Sequence, residues 1–403
     1  MSPVASSGNV IPLARPVLGE AEERAVLAVL RSGQLSLGPR LEEFERLFGE
    51  RIGSPYACAV SSGTAGLHLA LRAVGVQAGD EVITSPFSFV ASANAAVYEG
   101  GRPVFADIDP VTLNLDPEAA AAAVTARTKA ILPVHIFGYP ADMQAFERIA
   151  EKHGLGIVED ACEALGGRHR DGPIIGGRGN PAVFGFYANK QLTTGEGGMV
   201  TLASAELKEK IDSERNQGRA PDMGWLDHDR LGFNYRLSDI ACALGIAQLS
   251  RLDEMLTGRA RVAGWYREAL SELDPPALTP SRSPSRSFSS ASSSAFDPEG
   301  LRLPCADSDR DVRGWFVFVV QVPRGVDRDE IVRRLAATGV QSKPYLPAIH
   351  LMSYYRERFG HRKGEFPVCE DVAARSLALP FFPEMSEGQV ARVAEALREA
   401  LGH

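Results

Sequence analysis

The sequence lacks the features that would place the protein in a membrane, in an oxidising compartment or on nucleic acid. Residues 1–16 contain no basic segment followed by an apolar run, and no stretch is long and apolar enough to span a bilayer. The five cysteines form neither a CxxC pair nor a Cys/His ligand spacing, which predicts reduced thiols and no metal site. The net charge of -8 and the pI of about 5.6 disfavour nucleic acid and anionic membranes as partners. We therefore expect a soluble, cytoplasmic protein.

Lysine is also scarce, with seven in 403 residues, and only Lys190 lies between an aromatic run and a glycine-rich turn. Burying an unpaired ammonium is costly. Burial lowers the pKa of an amine and makes it a nucleophile for carbonyl groups. In isolation the pattern favours a lysine at a strand end with its amine in solvent. The surrounding motifs instead favour a lysine that forms a Schiff base with an aldehyde cofactor.

The length of the chain exceeds the roughly 250–300 residues that one hydrophobic core supports, which predicts a large domain and a smaller one. Strand and helix patterns alternate from Tyr56 to Leu202, which predicts an α/β domain with a mostly parallel sheet covered on both faces. One long helix is predicted over Ser238–Leu256. The predicted division is an N-terminal arm at 1–18, a large domain at 19–256 and a small C-terminal α+β domain at 257–403. A serine-rich stretch at about 279–297 buries too little apolar area to offset its ordering entropy, so we expect a disordered insertion there.

Two predicted strands are followed by groups that could bind a flat, anionic cofactor. Gly63 and Thr64 open a helix after a strand, where free N–H groups and the helix dipole favour an anion. Asp160 ends another strand, and ligands of open α/β sheets lie beyond the carboxyl ends of strands. A carboxylate there can hold a protonated pyridine nitrogen, which makes the ring the electron sink that pyridoxal 5'-phosphate (PLP) chemistry needs. The simpler alternatives are a plain helix cap at Gly63 and Thr64 and a capped turn at Asp160.

Four further residues have two interpretations each. Phe89 stands near the start of a helix and could stack on a flat ring, although by itself it is typical of a core. His135 follows a strand and is as compatible with packing as with a site. Asn234 lies in a loop before the long helix, where the simpler interpretation is a turn residue. Cys162, near an acidic pair, is interpreted mainly as small core filler.

Together the motifs resemble those of the DegT/DnrJ/EryC1/StrS family of PLP-dependent nucleotide-sugar aminotransferases, which has the aspartate-aminotransferase-type fold I. The resemblance extends from about Ile11 to Leu401 and is interrupted by the serine-rich stretch. The segments that carry it are SSGTAGLHLAL, GDEVITSPFSFVASANA, PVHIFGYPADM, VEDACEALGG, FYANKQLTTGEGG, RNQGR, LGFNYRLSDIACALGIAQL and FPVCEDVAARSLALP. Jointly these segments are specific, although no single one is.

The resemblance implies a role for each candidate residue. Lys190 would form the Schiff base and carry the proton between cofactor and substrate, and Asp160 would pair with the pyridine nitrogen. Phe89 would stack on the ring, while Gly63 and Thr64 would hold the phosphate.

The resemblance also implies a homodimer with shared sites, in which Asn234 reaches the phosphate of the neighbouring subunit's cofactor. Two positions depart from the common pattern. The family often has serine at Gly185, so a hydroxyl bond to the phosphate is missing here, or water or Tyr187 supplies it. Glu163 occupies a position that is often glutamine or histidine and faces the cofactor's phenolic oxygen. A glutamate can donate a hydrogen bond there only when it is protonated.

The implied activity is transfer of an amino group, with L-glutamate as the expected donor, to a nucleotide-linked keto-sugar by ping-pong kinetics. Such a reaction serves amino-sugar, polysaccharide or glycoside biosynthesis. One alternative is a sugar dehydratase of the same family, in which a histidine replaces the lysine, and Lys190 argues against it. Another is a cofactor-binding regulator without turnover. The acidic pI and the lack of a basic helix-turn-helix disfavour a DNA-binding regulator.

Overall fold

The structure, a computed structural model, describes residues 10–220, 227–273, 300–307 and 311–402. The predicted serine-rich insertion at about 279–297 and the first nine residues of the predicted arm lie outside these ranges. No helix in the described ranges combines the length and the apolar character needed to cross a bilayer.

The larger sheet contains the predicted strand-helix alternation. Its strands are β1 (Tyr56–Val60), β2 (Glu81–Thr84), β3 (Arg102–Phe105), β4 (Thr128–Leu132), β5 (Gly156–Ile157), β6 (Glu159–Asp160), β7 (Ala182–Gly185) and β8 (Gly198–Leu202). They pair in the orders β3-β2-β4-β5 and β1-β8-β7-β6. The two halves meet where β5 leads into β6 and where Val134 bridges Asp160 in parallel. Among these strands only β8 runs antiparallel to its neighbours, so the predicted mostly parallel sheet is confirmed.

Helices cover both faces of this sheet because successive residues of a strand point to opposite sides. The helices of this part are α1 (Glu20–Ser32), α2 (Pro39–Ile52), α3 (Gly63–Ala73), α4 (Ala91–Tyr98), α5 (Pro117–Ala122), α6 (Met143–His153), α7 (Ala205–Arg215) and α8 (Asp239–Ser250). On one face α3 lies so close to β7 that a Cβ on Gly66 would be 2.6 Å from Cγ1 of Val183. On the other face Phe48 of α2 contacts the next residue of β7, Phe184, with ring centroids 5.1 Å apart. Two helical layers therefore bury the sheet and leave the ends of its strands for a ligand.

The C-terminal part forms a second, antiparallel sheet. Its strands β9 (Phe318–Gln321), β10 (Lys343–Pro344) and β11 (Ser376–Leu379) pair in the order β10-β11-β9. Its helices are α9 (Leu252–Leu270), α10 (Arg328–Ala337), α11 (Ser353–Phe359), α12 (Pro367–Arg375) and α13 (Glu387–Leu401). Tyr266 of α9 stacks on Phe318 of β9, with ring centroids 4.7 Å apart, in a hydrophobic core of its own. The N-terminal arm joins this part, since Ile11 pairs in parallel with Val340.

The long helix predicted over Ser238–Leu256 is wrong in its extent. α8 ends at Ser250, Arg251 has φ -109° and ψ 8°, and α9 begins at Leu252. The small residues of α8 are apolar on all sides, so the sequence shows no change of period that would mark the break. The predicted domain boundary at 256/257 falls inside α9, and the division into an arm and two domains stays a prediction.

Candidate active site

A cavity of about 600 Å³ lies where β1, β6 and β7 end. Six of the seven candidate residues line it: Gly63, Thr64, Phe89, Asp160, Glu163 and Lys190. The segment Lys343 to Pro347, from the second sheet and the loop after it, lines it as well. The strand ends of the larger sheet therefore bring together residues that are far apart in the sequence, as expected for an open α/β sheet.

Lys190 lies in the loop that follows β7, with its side chain 15% exposed. Its backbone N–H donates to the carbonyl of Tyr187, 3.0 Å away, which closes a turn. Its Nζ is 4.0 Å from the ring centroid of Phe316 and 3.8 Å from Oε1 of Glu163. The amine is thus held at the cavity wall between an aromatic face and a carboxyl group.

Asp160 is 5% exposed, and each of its carboxylate oxygens has a donor. The hydroxyl of Ser92 donates to Oδ2 at 2.6 Å, and the N–H of Cys162 donates to Oδ1 at 3.1 Å. Ser88 Oγ lies 2.8 Å from Ser92 Oγ. Because the hydrogen of Ser92 is directed at Asp160, Ser88 supplies the hydrogen of this second bond. A carboxylate held at both oxygens has a fixed orientation, with lone pairs left for a group in the cavity.

Ser88 and Ser92 were not among the site residues predicted from the sequence. Both stand in the segment PFSFVAS, four residues apart, a spacing that a helix would place on one face, although α4 begins only at Ala91. They belong to the site because Ser92 contacts Asp160, which lies 68 residues further along the chain. No local sequence pattern predicts such a contact.

Glu163 is 6% exposed and faces both Lys190 and Asp160. The N–H of Phe137 donates to its Oε2 at 3.0 Å. Burial raises the pKa of Glu163 above its ordinary value of 4.5, and the charge of Asp160 adds to this effect. The ammonium of Lys190, the N–H of Phe137 and the hydroxyl of Tyr345 act in the opposite direction. The net direction is a raised pKa, which increases the share of the protonated carboxyl, the form that can donate a hydrogen bond.

Gly63 and Thr64 form the first turn of α3 and border the cavity. Ser62 caps the helix by accepting from the N–H of Ala65 at 3.0 Å, and the first N–H groups of a helix have no partner within it. A Cβ on Gly63 would be 2.8 Å from Sγ of Cys162, so only glycine fits without a shift. This end of the cavity has the geometry of a phosphate site at a helix N-terminus.

Two candidate residues are less enclosed. Phe89 lines the cavity, yet 61% of it is exposed. Asn234 is exposed, is not among the lining residues, and is placed by a backbone bridge to Asn216. Within one chain, therefore, Asn234 does not join the other candidates.

His135 is fully buried and does not line the cavity. With Glu159 and His169 it forms a cluster whose ligand atoms lie within 4.8 Å of one another. The N–H of Ala141 donates to Nδ1 of His135, so Nε2 carries the hydrogen and donates to Glu159 at 3.1 Å. To bind a metal through Nε2, the imidazole would need that nitrogen to be free of its hydrogen. The geometry is that of a hydrogen-bonded pair, and the absence of a metal site stays a prediction.

The polar groups of the cavity fit PLP one by one. The N-terminus of α3 suits its phosphate, a buried carboxylate suits its ring nitrogen, and the amine of Lys190 suits its aldehyde. Cys162 lies among them as a neutral thiol, because burial raises its pKa well above the usual value. The fold and the cavity together define a PLP-dependent aminotransferase of fold type I.

The chain belongs to the DegT/DnrJ/EryC1/StrS aminotransferase family, which it matches over residues 16–398. It is 36% identical over 409 residues to the spore coat polysaccharide biosynthesis protein SpsC of Bacillus subtilis, covering 98% of each chain. Among solved structures it is similar to S. venezuelae DesV in complex with a ketimine intermediate, at 33% identity and a TM-score of 0.83, with 95% of this chain and 94% of DesV covered. It is also similar to the sugar aminotransferase CalS13 of Micromonospora echinospora, at 28% identity and a TM-score of 0.82, with 96% and 99% covered.

These comparisons confirm four predictions: the family, the fold type I architecture, the aminotransferase class of enzyme and the dependence on PLP. The individual roles of the site residues stay predictions.

Proposed function

We propose that the protein transfers an amino group from L-glutamate to a nucleotide-linked keto-sugar, in amino-sugar, polysaccharide or glycoside biosynthesis. The observation that carries the proposal is the meeting of Lys190 and Asp160 at one cavity in a member of an aminotransferase family. The relatives support the sugar substrate, since one is named for polysaccharide biosynthesis and one is a sugar aminotransferase. A lysine rather than a histidine at position 190 favours amino transfer over the dehydratase alternative.

In this proposal Lys190 moves the proton. When bound, PLP supplies an aldehyde carbon for the amino group and a ring that withdraws electrons from the reacting carbon. The Nζ of Lys190 takes the proton from the α-carbon of the donor and later delivers one to the ring carbon of the acceptor. Asp160, as a carboxylate held by Ser92 and by the N–H of Cys162, keeps a proton on the ring nitrogen.

The remaining candidates bind and orient. Gly63 and Thr64 hold the phosphate at the start of α3, and Phe89 stacks on the ring. We propose further that two copies of the chain share their sites, with Asn234 of one subunit reaching the phosphate bound by the other. The exposure of Phe89 and of Asn234 in a single chain supports this arrangement.

The test is turnover with a panel of nucleotide-linked keto-sugars in the presence of PLP and L-glutamate. We expect 2-oxoglutarate and one aminated sugar nucleotide in equal amounts, identified by mass spectrometry. Formation of 2-oxoglutarate without an aminated sugar from any member of the panel would reject the proposed acceptor. A product that has lost water without gaining nitrogen would indicate the dehydratase. The Lys190→Ala variant serves as the blank.

A further inference from the structure

Arg259, on α9, is a buried cation with an unusual set of partners. It is 3% exposed, and among the ion pairs of the described residues its guanidinium has none with a carboxylate. Burial alone lowers the pKa of Arg259 to about 10, so it stays charged at neutral pH. A charge without an opposite charge is costly to bury, and it must be compensated by hydrogen bonds.

The compensating bonds all go to backbone carbonyls beside the candidate lysine. Nη1 of Arg259 donates to the carbonyl of Phe316 at 2.9 Å, and Nη2 donates to the carbonyl of Lys190 at 3.2 Å. A longer contact of 3.4 Å reaches the carbonyl of Asn189. The ring of Phe316 is the one whose centroid lies 4.0 Å from Nζ of Lys190. One planar guanidinium therefore fixes both the backbone of the lysine and the backbone of the aromatic residue that its amine contacts.

We propose that Arg259 is a positioning residue for Lys190, which sets where the amine lies by clamping the carbonyls of Lys190 and Phe316. The proposal rests on the proposed function, in which Lys190 carries the Schiff base. The fork of a guanidinium has fixed donor directions, whereas the ammonium of a lysine is a flexible point charge. Replacing one by the other keeps the charge and loosens the clamp.

The clamp also connects the two parts of the protein. The Arg259 guanidinium lies 5.8 Å from the ring centroid of Phe381, which belongs to the core of the second sheet. Its neighbour Gly258 packs so closely on Pro383 that a Cβ would be 2.8 Å from the carbonyl oxygen. A movement of the second sheet would thus be transmitted through α9 to the loop that contains Lys190.

The experiment compares Arg259→Lys and Arg259→Met with the wild type and with a control, Arg261→Met. Arg261 is exposed on the same helix and touches neither carbonyl, so the control tests the general effect of losing a cation there. Each protein is first reduced with borohydride, and the labelled peptide is identified. Four quantities then follow: kcat, KM for glutamate, the melting temperature, and the pH midpoint of the cofactor absorbance change, which reports the proton affinity at the nitrogen of Lys190.

We expect Arg259→Lys to keep its melting temperature within a few degrees and its KM within about twofold. Its kcat should fall about tenfold, because a displacement of the order of 1 Å at a reacting group can cost more than that. The pH midpoint of its cofactor absorbance change should shift by at least about half a unit, because the surroundings of the Lys190 nitrogen change. Arg259→Met should lose more on both measures, and Arg261→Met should match the wild type.

A folded Arg259→Lys with the kcat and the pH midpoint of the wild type would overturn the role of Arg259, even if Arg259→Met failed to fold. A fall in melting temperature with an unchanged midpoint would mark a purely structural residue and would overturn it equally. Absence of label on Lys190 in the wild type would instead reject the proposed function, and with it the clamp.

Discussion

The two ends of the cavity are built differently. At the Asp160 end, a carboxylate that is 5% exposed receives a hydrogen bond at each oxygen from groups of the same chain. At the α3 end, Gly63 and Thr64 begin a helix that Ser62 caps, and Asn234 is exposed and lies outside the lining. One chain completes the first end, whereas the second has exposed groups, and we propose that another subunit completes it. Changes at the Asp160 end should therefore alter chemistry, and changes at the α3 end should alter cofactor retention and assembly.

The largest effect is expected from Lys190, which lies between the two ends. Lys190→Ala should reduce turnover by at least about a hundredfold, since a positioned acid-base group contributes roughly 10²–10⁴-fold. The purified wild type should be yellow, and borohydride should attach the cofactor to the peptide that contains Lys190. The variant should show no such label, as measured by peptide mass spectrometry.

Lys343 provides the matched control, because it is an exposed lysine that lines the same cavity. Lys343→Ala should keep the label on Lys190. A label that appears on Lys343, or a wild type that holds cofactor and takes no label, would contradict the assignment.

Asp160→Asn should have the next largest effect and should test the Asp160 end directly. The variant loses a charge-assisted hydrogen bond, worth roughly 1.5–3 kcal/mol, and so we expect both half-reactions to slow at least tenfold. Stopped-flow absorbance of each half-reaction is the measurement. Asp253→Asn is the control, since it breaks only an exposed ion pair with Arg51. Half-reaction rates near those of the wild type would make Asp160 a simple turn cap.

The residues of the site differ in how far the sequence could predict them. Gly63, Asp160 and Lys190 stand in contiguous segments at strand ends, where local pattern and sheet topology agree. Ser92 and Arg259 act through contacts 68 and 69 residues away, to Asp160 and Lys190, and periodicity carries no information on such pairs. The break between α8 and α9 at Arg251 was not predicted for a related reason. The apolar residues of α8 are not confined to one face, so the sequence shows no periodicity that would mark where the helix ends.

Asn234→Ala tests the α3 end and the shared site. If Asn234 binds the phosphate held by the other subunit, the variant should retain PLP about tenfold more weakly, since a hydrogen bond to a charged group is worth about 1.5–3 kcal/mol. At a PLP concentration that fills the wild type but leaves Asn234→Ala largely empty, chains carrying Asn234→Ala and Lys190→Ala should complement each other when mixed. Random exchange makes half of the dimers hybrid, each with one intact site, so about a quarter of the wild-type activity should return. No recovery despite subunit exchange, confirmed by native mass spectrometry, would refute the shared site.

Ser92→Ala should produce a smaller effect at the Asp160 end. The variant removes the donor to Oδ2 and leaves the bond from the N–H of Cys162, so Asp160 keeps one of its two donors. We expect the half-reactions to slow by about threefold to tenfold, in line with the loss of one hydrogen bond to a charged group. Ser92→Thr keeps the hydroxyl and should recover most of the rate. If both variants react as fast as the wild type, the orientation of Asp160 does not depend on Ser92.

The smallest change is expected for Glu163→Gln, which replaces the carboxyl by a group of the same shape that can donate a hydrogen bond. Burial raises the pKa of Glu163, and the neighbouring charge of Asp160 reinforces this. Glu163→Gln should therefore keep PLP and remain within about twofold of the wild-type rate, since no hydrogen bond is lost. Glu163→Leu removes the donor, and the cofactor spectrum should shift and PLP retention weaken. An unchanged spectrum and unchanged retention in Glu163→Leu would contradict a contact between Glu163 and the cofactor.

The pH dependence of the same variant separates Glu163 from Asp160. The folded chain binds the Glu163 proton more tightly than the unfolded chain, whose carboxyl titrates near its ordinary value of 4.5. Between 4.5 and the raised folded pKa the folded chain holds more protons, so Glu163 makes the free energy of unfolding fall as the pH rises through this window. Glu163→Gln lacks this titration and should lose less stability over the same range, as measured by denaturant unfolding at a series of pH values.

Any alkaline fall in rate that comes from Glu163 should flatten in Glu163→Gln for the same reason, because glutamine has no proton to lose. If both profiles coincide with those of the wild type, Glu163 does not titrate in this range, and its hydrogen bond to the cofactor cannot depend on a retained proton.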